Sequence, residues 1–303
     1  MGKLKNKNCV ITGAASGIGR CLAIGLAKEG MNLFMADIEM ANLEKVKKEI
    51  EEIGVTVFIG KCDIAKYEDF ENLAKEVYSR LGDVDLLINN AGIAGYGLME
   101  SLELAEWKRV LDVNLWGIIH SLKAFLPRML ERGSGHIVNT GSGSGVVGIP
   151  YHIHYVASKF AVVGISEGLY SELSHRGIKV SVICPTQLRT NIIDRTTINL
   201  AHDFIEDENQ RELIKQKSAE VKKLFWEKYT RNTQTVEQAA RKYIQGIKKE
   251  KLYIFDARIV PFGMFVKAIS QGLYKRILRR EGEKSLKLIE EALSEAGINI
   301  KVP

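Results

Sequence analysis

The sequence has little cysteine, and its cysteines are scattered. The four are Cys9, Cys21, Cys62 and Cys184 in a chain of 303 residues, with no Cys-x-x-Cys pair among them. This pattern excludes a disulfide framework and a cysteine-ligated metal site. It is typical of small buried side chains in a reducing compartment, so we expect a cytoplasmic protein.

Long hydrophobic runs and blocks of one charge are also scarce. No stretch reaches the roughly 18 uncharged apolar residues of a transmembrane helix, and the first apolar run is too short for a signal peptide. Lys and Arg exceed Asp and Glu by 43 to 37. Because most of these charges are interleaved along the chain, solvated helix faces are favoured over a nucleic-acid site.

Short apolar runs alternate with amphipathic stretches, which predicts an α/β fold with a doubly wound, Rossmann-like parallel sheet of about seven strands. The expected strands are 9–12, 32–36, 55–59, 86–89, 136–140, 179–184 and 252–255. The expected helices are near 17–29, 40–53, 66–81, 101–131, 155–175 and 235–249.

The regular alternation of expected strands and helices predicts one domain over residues 1–258. Residues 191–230 mix apolar and charged side chains where a strand should end, and an insertion there suits a substrate lid. The alternative to a lid is a set of surface helices that do not contact the ligand. Residues 259–303 form a helical C-terminal extension in this interpretation.

A glycine-rich turn follows the first expected strand and predicts a nucleotide site. Gly13, Gly17 and Gly19 are separated so that backbone amides can approach a pyrophosphate at the start of the next helix. A glycine turn of this kind can also be present only because the backbone must turn sharply between a strand and a helix. Its place in the first strand-helix unit favours the nucleotide.

Asp37, at the end of the second expected strand, favours NAD over NADP. A carboxylate about 20 residues past the glycine turn can accept both ribose hydroxyls of the adenosine half. It would repel a 2′-phosphate, and neither Ser16 nor Ile38 supplies a cation. Asp37 can also cap the next helix, which is compatible with the ligand role.

Tyr155 and Lys159 are one helical turn apart, so their side chains share a face. Thirteen residues earlier, Ser142 lies in a glycine-rich loop that follows a strand. A Tyr-x-x-x-Lys pair alone carries little information. Combined with this serine and the glycine turn, it becomes specific.

At this point the chain resembles the short-chain dehydrogenase/reductase family in its single-domain form, over about residues 5–190. The resemblance implies that Tyr155 is the general acid or base and that Lys159 lowers its pKa. A shift of about 3 units needs roughly 4 kcal/mol, which one ammonium about 4 Å away can supply. Ser142 would bind the substrate oxygen, and Asn114 would hold a water in a proton path. The motifs are 12–19, Asp63, 89–92, Asn114, Ser142, Tyr155 with Lys159, and 185–190.

The resemblance also implies a set of cofactor-binding residues. Asp63 would meet the adenine and Asn90 the ribose, although a strand-end cap and a turn explain these two as well. Thr186 departs from the family, which usually has glycine there. The set is Gly13, Ser16, Gly17, Ile18, Gly19, Asp37, Asp63, Ile64, Asn90, Ala91, Gly92, Tyr155, Lys159, Pro185, Leu188 and Thr190.

The expected substrate wall is mainly apolar, which suits a hydrophobic alcohol or ketone. His152 and His154 flank Ile153, but no third ligand is evident nearby, so we expect no metal. The wall comprises Ile93, Ala94, Tyr96, Ser144, Val146, Val147, Ile149, Tyr151 and part of 191–230.

The C-terminal extension carries an apolar helical stripe, which ends in a basic cluster at Lys275, Arg276, Arg279 and Arg280. Such a helix can lie on an anionic membrane. Packing on the parent domain or on a second subunit is favoured. The resemblance implies a homodimer or homotetramer through the helices near 101–131 and 155–175.

Together these residues predict an NAD(H)-dependent oxidoreductase that interconverts a hydrophobic secondary alcohol and its ketone. An NADP-preferring carbonyl reductase is one alternative. A dinucleotide-sensing interaction protein without turnover is another, but it would not need Ser142, Tyr155 and Lys159 together.

Overall fold

The computed structural model describes residues 4–189, 197–199, 208–230 and 233–298. Its main sheet has seven parallel strands in the order β3-β2-β1-β4-β6-β7-β9, and β5 pairs with β8 in a separate two-stranded sheet. The strands are β1 (Asn8–Thr12), β2 (Asn32–Asp37), β3 (Val57–Lys61), β4 (Leu86–Asn89), β5 (Gly95–Gly97), β6 (Gly135–Thr140), β7 (Ile178–Cys184), β8 (Thr197–Asn199) and β9 (Tyr253–Phe255).

Helices cover both faces of the main sheet. None of the helices in the described ranges is both long enough and apolar enough to cross a membrane. The helices are α1 (Gly17–Lys28), α2 (Met40–Glu51), α3 (Tyr67–Arg80), α4 (Leu104–Leu111), α5 (Gly117–Arg132), α6 (Ile153–Leu173), α7 (Glu208–Tyr229), α8 (Val236–Lys248), α9 (Ile259–Ile269) and α10 (Gln271–Glu295).

The strand order confirms the predicted doubly wound sheet. From β1 the chain builds outward through β2 to β3, then returns to β4 on the other side of β1. In such a sheet the carboxyl ends of the strands on either side of the reversal leave a crevice for ligands. The loops after β1 and β4 meet at this crevice.

Two apolar clusters pack on opposite faces of the sheet. One holds Leu22 of α1, Val46 of α2 and Tyr243 of α8. The other holds Phe70 of α3 and Phe125 of α5. These side chains are almost completely buried, so they fix the sheet that positions the site.

A third apolar cluster joins the inserted segment to the C-terminal extension. Phe225 of α7 and Leu293 of α10 pack in it beside Tyr96 of β5. A smaller cluster places Val260 of α9 against Val146 and the sheet. The extension therefore packs on the domain rather than standing apart from it.

The helix expected near 101–131 is interrupted. Between α4 and α5, the segment Asp112–Trp116 forms a π-helical turn. Asn114 in this turn bonds to the backbone of Ile93 and to Ser158 of α6. These bonds hold the widened turn, and the continuous apolar pattern did not reveal them.

Candidate active site

A cavity of about 930 Å³ lies at the carboxyl ends of the parallel strands. It is at the upper end of the range for small-molecule and cofactor sites. The glycine turn after β1 forms one part of its wall, and residues of α7, α9 and α10 form another.

The glycine turn has tight local geometry. Gly13 has a φ of +69°, and a Cβ atom there would lie 2.7 Å from the Cα of Ala91. At Gly19, a Cβ would lie 2.0 Å from the Gly13 carbonyl oxygen, and Gly19 does not line the cavity. Chain geometry therefore requires these two glycines, and Gly13 lines the cavity together with Ser16, Gly17 and Ile18.

The amino end of α1 suits an anionic group. Ser16 precedes the helix, and its side chain makes no capping hydrogen bond. The first backbone amides of a helix lack partners within the helix and carry its positive dipole end. Since Ser16 and Gly17 line the cavity, these amides are placed to meet a pyrophosphate.

Asp37 ends β2 and lines the same end of the cavity. Its carboxylate is buried and accepts hydrogen bonds from the amides of Ala15 and Glu39, each at 3.0 Å. Its neighbour Ile38 also lines the cavity and supplies no charge. A negative group is therefore fixed in place beside the amino end of α1.

Asp63 and Asn90 both line the cavity, but each has a structural role too. Asp63 accepts a hydrogen bond from the Ala65 amide at 3.2 Å. The side-chain amide of Asn90 donates to the carbonyl oxygens of Thr12 and Gly13, at 3.0 and 3.2 Å. Asn90 thus holds the glycine turn. Ile64, Ala91, Gly92, Pro185 and Leu188 also line the cavity.

Tyr155 and Ser142 come together at the other end of the cavity. Tyr155 lies in the first turn of α6, and Ser142 follows β6, where its hydroxyl accepts a hydrogen bond from the Ser144 amide at 3.0 Å. Burial raises the pKa of Tyr155, while a side-chain hydrogen bond with Ser142 lowers it. Desolvation is the larger effect, so the phenol of Tyr155 is protonated at neutral pH.

Lys159 lies beside this pair and is also buried. Its Nζ donates to the carbonyl oxygen of Thr140 at 2.9 Å and lies 5.6 Å from the ring centre of Tyr155. Burial lowers the pKa of Lys159 to about 8. Burial thus disfavours the charged form of both side chains, and the lowering of the Tyr155 pKa by the Lys159 ammonium, which the family resemblance implies, stays a prediction.

Asn114 lies behind Lys159 and does not line the cavity. Its Nδ2 donates to the Ile93 carbonyl oxygen at 2.9 Å and to Ser158 Oγ at 3.0 Å, and its Oδ1 accepts from the Ile93 amide at 2.9 Å. A Cβ atom on Gly92 would lie 3.1 Å from this Oδ1 and 3.5 Å from the Lys159 Nζ. Asn114 is thus tied to the loop after β4, and its predicted role toward a water stays a prediction.

Thr186 stands where glycine is usual and has a clear partner. Its amide and its hydroxyl donate to the two carboxylate oxygens of Asp256, at 2.9 and 2.6 Å. Gln234 also donates to this buried carboxylate. The loop after β7 is therefore anchored beside the cavity. Thr190, another predicted cofactor contact, lies outside the residues that the structure describes.

The predicted substrate wall is only partly correct. Ile93, Ala94, Ser144, Val147 and Ile149 line the cavity. Tyr96, Val146 and Tyr151 do not line it. Tyr96 is instead buried in the cluster shared by α7 and α10.

The two histidines have different surroundings. His152 lines the cavity, and its Nδ1 is 2.8 Å from the Gly95 carbonyl oxygen. His154 is fully buried and packs against Trp107. Burial lowers the pKa of both. The described ranges contain no cluster of three or more His, Cys, Asp or Glu side chains placed to hold a metal ion.

Residues of 191–230 and of the C-terminal extension also line the cavity. Trp226 and Tyr229 of α7 belong to 191–230, part of which was expected in the substrate wall. Burial raises the pKa of Tyr229 to about 12. The helical periodicity of these segments was visible, but nothing in it showed which face meets the cavity. The lining residues that were not predicted include eight from α9 and α10, namely Ile259, Val260, Phe262, Gly263, Ile277, Arg280, Glu281 and Lys284.

Comparison with known proteins now identifies the family. The sequence model described as short chain dehydrogenase matches residues 7–200. A relative from Staphylococcus epidermidis, named 3-oxoacyl-[acyl-carrier-protein] reductase FabG, is 35% identical over 204 residues, which are 66% of this chain and 83% of that protein. This chain therefore belongs to the short-chain dehydrogenase/reductase family of oxidoreductases.

Solved structures agree with this assignment. A short-chain dehydrogenase/reductase from Burkholderia phymatum in complex with NAD has a TM-score of 0.75 and 27% identity, over 88% of this chain and 95% of that one. An alcohol dehydrogenase from the archaeon Thermococcus sibiricus complexed with 5-hydroxy-NADP has a TM-score of 0.66 and 26% identity, over 83% and 96%. Structural neighbours thus bind either nicotinamide dinucleotide.

Proposed function

We propose that this protein is an NAD(H)-dependent oxidoreductase that interconverts a hydrophobic secondary alcohol and its ketone. One observation carries the proposal: Ser142, Tyr155 and Lys159 share one cavity with the uncapped amino end of α1 and with Asp37. A sensing protein would need only the last two features.

The residues divide the chemistry between them. The Tyr155 hydroxyl and Ser142 would bind the substrate oxygen, and Tyr155 would pass a proton to or from it. A bound nicotinamide would supply or accept the hydride. Because burial raises the pKa of Tyr155, the phenol holds its proton at neutral pH and can give it to a ketone oxygen. Lys159 would stabilise the phenoxide that remains.

The wall near this centre supports an apolar substrate. Val147, Ile149, Trp226 and Phe262 line the cavity together with Tyr155. Aromatic and aliphatic side chains of this kind stabilise a ligand mainly by removing its apolar surface from water. The charged residues Arg280, Glu281 and Lys284 of α10 line the cavity as well.

Tyr155→Phe tests the chemistry. We expect turnover of a ketone panel with NADH to fall by about 10² to 10⁴-fold, because the proton donor is lost while the ring is kept. Binding of NADH, followed by its fluorescence, should be retained. Tyr170→Phe is the matched control, since Tyr170 is an exposed phenol on the same helix. Wild-type turnover in Tyr155→Phe would overturn the proposal.

Asp37 carries the proposed cofactor preference. We expect kcat/KM with NADH to exceed that with NADPH, because the buried carboxylate would repel a 2′-phosphate. Asp37→Ser should move the preference toward NADPH. A wild-type protein that prefers NADPH would show that the cofactor assignment is wrong.

A further inference from the structure

One face of α9 is apolar and uncovered in the described part of the chain. The opposite face packs on the domain through Val260, which is buried, and Met264, which is partly buried. Packing on the parent domain, one of the two arrangements that the sequence favours, thus uses only half of this helix. Together with the start of α10, the uncovered half forms what we call the α9 apolar face: Ile259 (67% exposed), Phe262 (56%), Phe265 (61%), Ile269 (65%) and Leu273 (47%).

The α9 apolar face lies within a segment of one charge. Residues 258–280 contain six Lys or Arg and no Asp or Glu. The net charge of the whole chain is also +6, so the remaining residues sum to zero. None of these six cations forms an ion pair with another described residue. They are Arg258, Lys267, Lys275, Arg276, Arg279 and Arg280.

The same segment borders the active-site cavity. Ile259 and Phe262 belong both to the α9 apolar face and to the cavity lining, and Ile277 and Arg280 of α10 line the cavity too. An apolar surface, six cations and part of the cavity wall therefore occur in one segment.

We propose that the α9 apolar face rests on a lipid bilayer that contains anionic headgroups. The 11 residues of α9 are too few to span a hydrocarbon core, which takes about 20, so the helix would lie in the plane of the interface. Its exposed Phe and Ile side chains would enter the acyl boundary, and the basic residues would meet the headgroups. The part of the cavity wall that this segment forms would then lie near the lipid.

Charge favours lipid over a second copy of this chain. A two-fold interface brings the same patch of both subunits together. Pairing through the α9 apolar face would therefore place two sets of six cations against each other, without Asp or Glu from the segment to compensate. Anionic lipid offers the opposite charge.

Vesicle co-sedimentation of the full chain tests the proposal. We expect wild type to bind vesicles of phosphatidylcholine mixed with phosphatidylglycerol more tightly than vesicles of phosphatidylcholine alone. Phe265→Ser with Ile269→Ser should abolish binding. Lys275→Gln with Arg276→Gln should weaken it on the order of 30-fold, at about 1 kcal/mol per basic residue. None of these four residues lines the cavity.

Control variants remove other exposed apolar and basic side chains elsewhere. Met99→Ser with Leu104→Ser takes away two other exposed apolar side chains, and Lys45→Gln with Lys48→Gln takes away two exposed lysines of α2. Both controls should bind mixed vesicles like wild type.

Two results would overturn the proposal. One is wild type that stays in the supernatant with both kinds of vesicle. The other is a lower particle mass for Phe265→Ser with Ile269→Ser in lipid-free light scattering, which would make the surface a subunit interface. The test needs no turnover, so a failure of the proposed oxidoreductase activity leaves it unaffected.

Discussion

Single side chains anchor the loop after β7, and Thr186 is the clearest case. A glycine there could adopt the same backbone and offer the same amide, but it could not supply the hydroxyl that donates to Asp256 at 2.6 Å. Asp256 lies just after β9 and is buried. The substitution of the usual glycine therefore adds a link between the loop beside the cavity and the last strand of the sheet.

Thr186→Val should lower the free energy of unfolding by about 1.5–3 kcal/mol, the usual contribution of a hydrogen bond to a charged group. It should also raise the KM for the dinucleotide, because the loop carries Pro185 and Leu188 into the cavity. Urea denaturation and initial-rate kinetics measure the two effects. Thr186→Ser keeps the hydroxyl and should behave like wild type. Equal losses in both variants would contradict this explanation.

We expect His152 to make the protein sensitive to acid. Burial lowers its pKa from 6.5 to about 4. Between these values the unfolded chain binds a proton that the folded chain does not, so stability falls as pH drops through this window. The loss from this group should reach about 3 kcal/mol near pH 4.

The comparison variant is His152→Asn, whose amide can still donate to the Gly95 carbonyl oxygen. Urea denaturation at several pH values between 4 and 7 should give a shallower fall in stability for this variant than for wild type. Parallel pH profiles would show that other groups cause the acid sensitivity.

At the residue scale, the sequence predicts a contact between side chains when the neighbours of a residue lie in its own motif. Ser142, Tyr155 and Lys159 could be placed together because strand ends and one helical turn fix their positions. The direction of the Tyr155 pKa could not be predicted, since it depends on burial by distant segments. Likewise, nothing near Thr186 in the sequence indicates that Asp256 is its partner.

Among the elements, the π-helical turn and the α7–α10 pair are the departures from a regular strand-helix alternation. The periodicity near 101–131 predicted one helix, because a single extra residue in a turn barely disturbs an apolar pattern. The helices of 191–230 and of the extension were expected, and α7 and α10 are found. Their packing against each other was not predicted, because an apolar stripe in the sequence does not indicate which other element it contacts.

Leu293→Ala tests what the α7–α10 pair contributes. Leu293 is completely buried in the cluster that supports α7, so we expect a loss of about 2–5 kcal/mol in stability. Because α7 carries Trp226 and Tyr229 into the cavity, the KM for an apolar substrate should rise while NADH binding is kept. Differential scanning fluorimetry and kinetics measure both.

Lys287→Ala on the exposed face of α10 is the control for that experiment and should leave both quantities unchanged. An unchanged substrate KM in a clearly destabilised Leu293→Ala protein would show that α7 does not shape the substrate end.

For the whole molecule, two exposed surfaces are separate candidates for contact with other molecules. Leu104, Trp116 and Tyr170 are exposed on or beside the long helices through which the sequence predicted a homodimer or homotetramer. That assembly stays a prediction, as does the cytoplasmic location. The α9 apolar face belongs to a different element, so subunit pairing through the long helices and lipid contact through α9 can occur in the same particle.

The pairing of β5 with β8 sets an order for the loss of structure. Gly95 pairs with Thr197, about one hundred positions further along the chain, and each of the two strands has only three residues. A pair this short should open locally before the seven-stranded sheet does. At low urea concentration, ketone turnover should therefore be lost before NADH fluorescence is: the molecule would give up its selectivity before it gives up its dinucleotide.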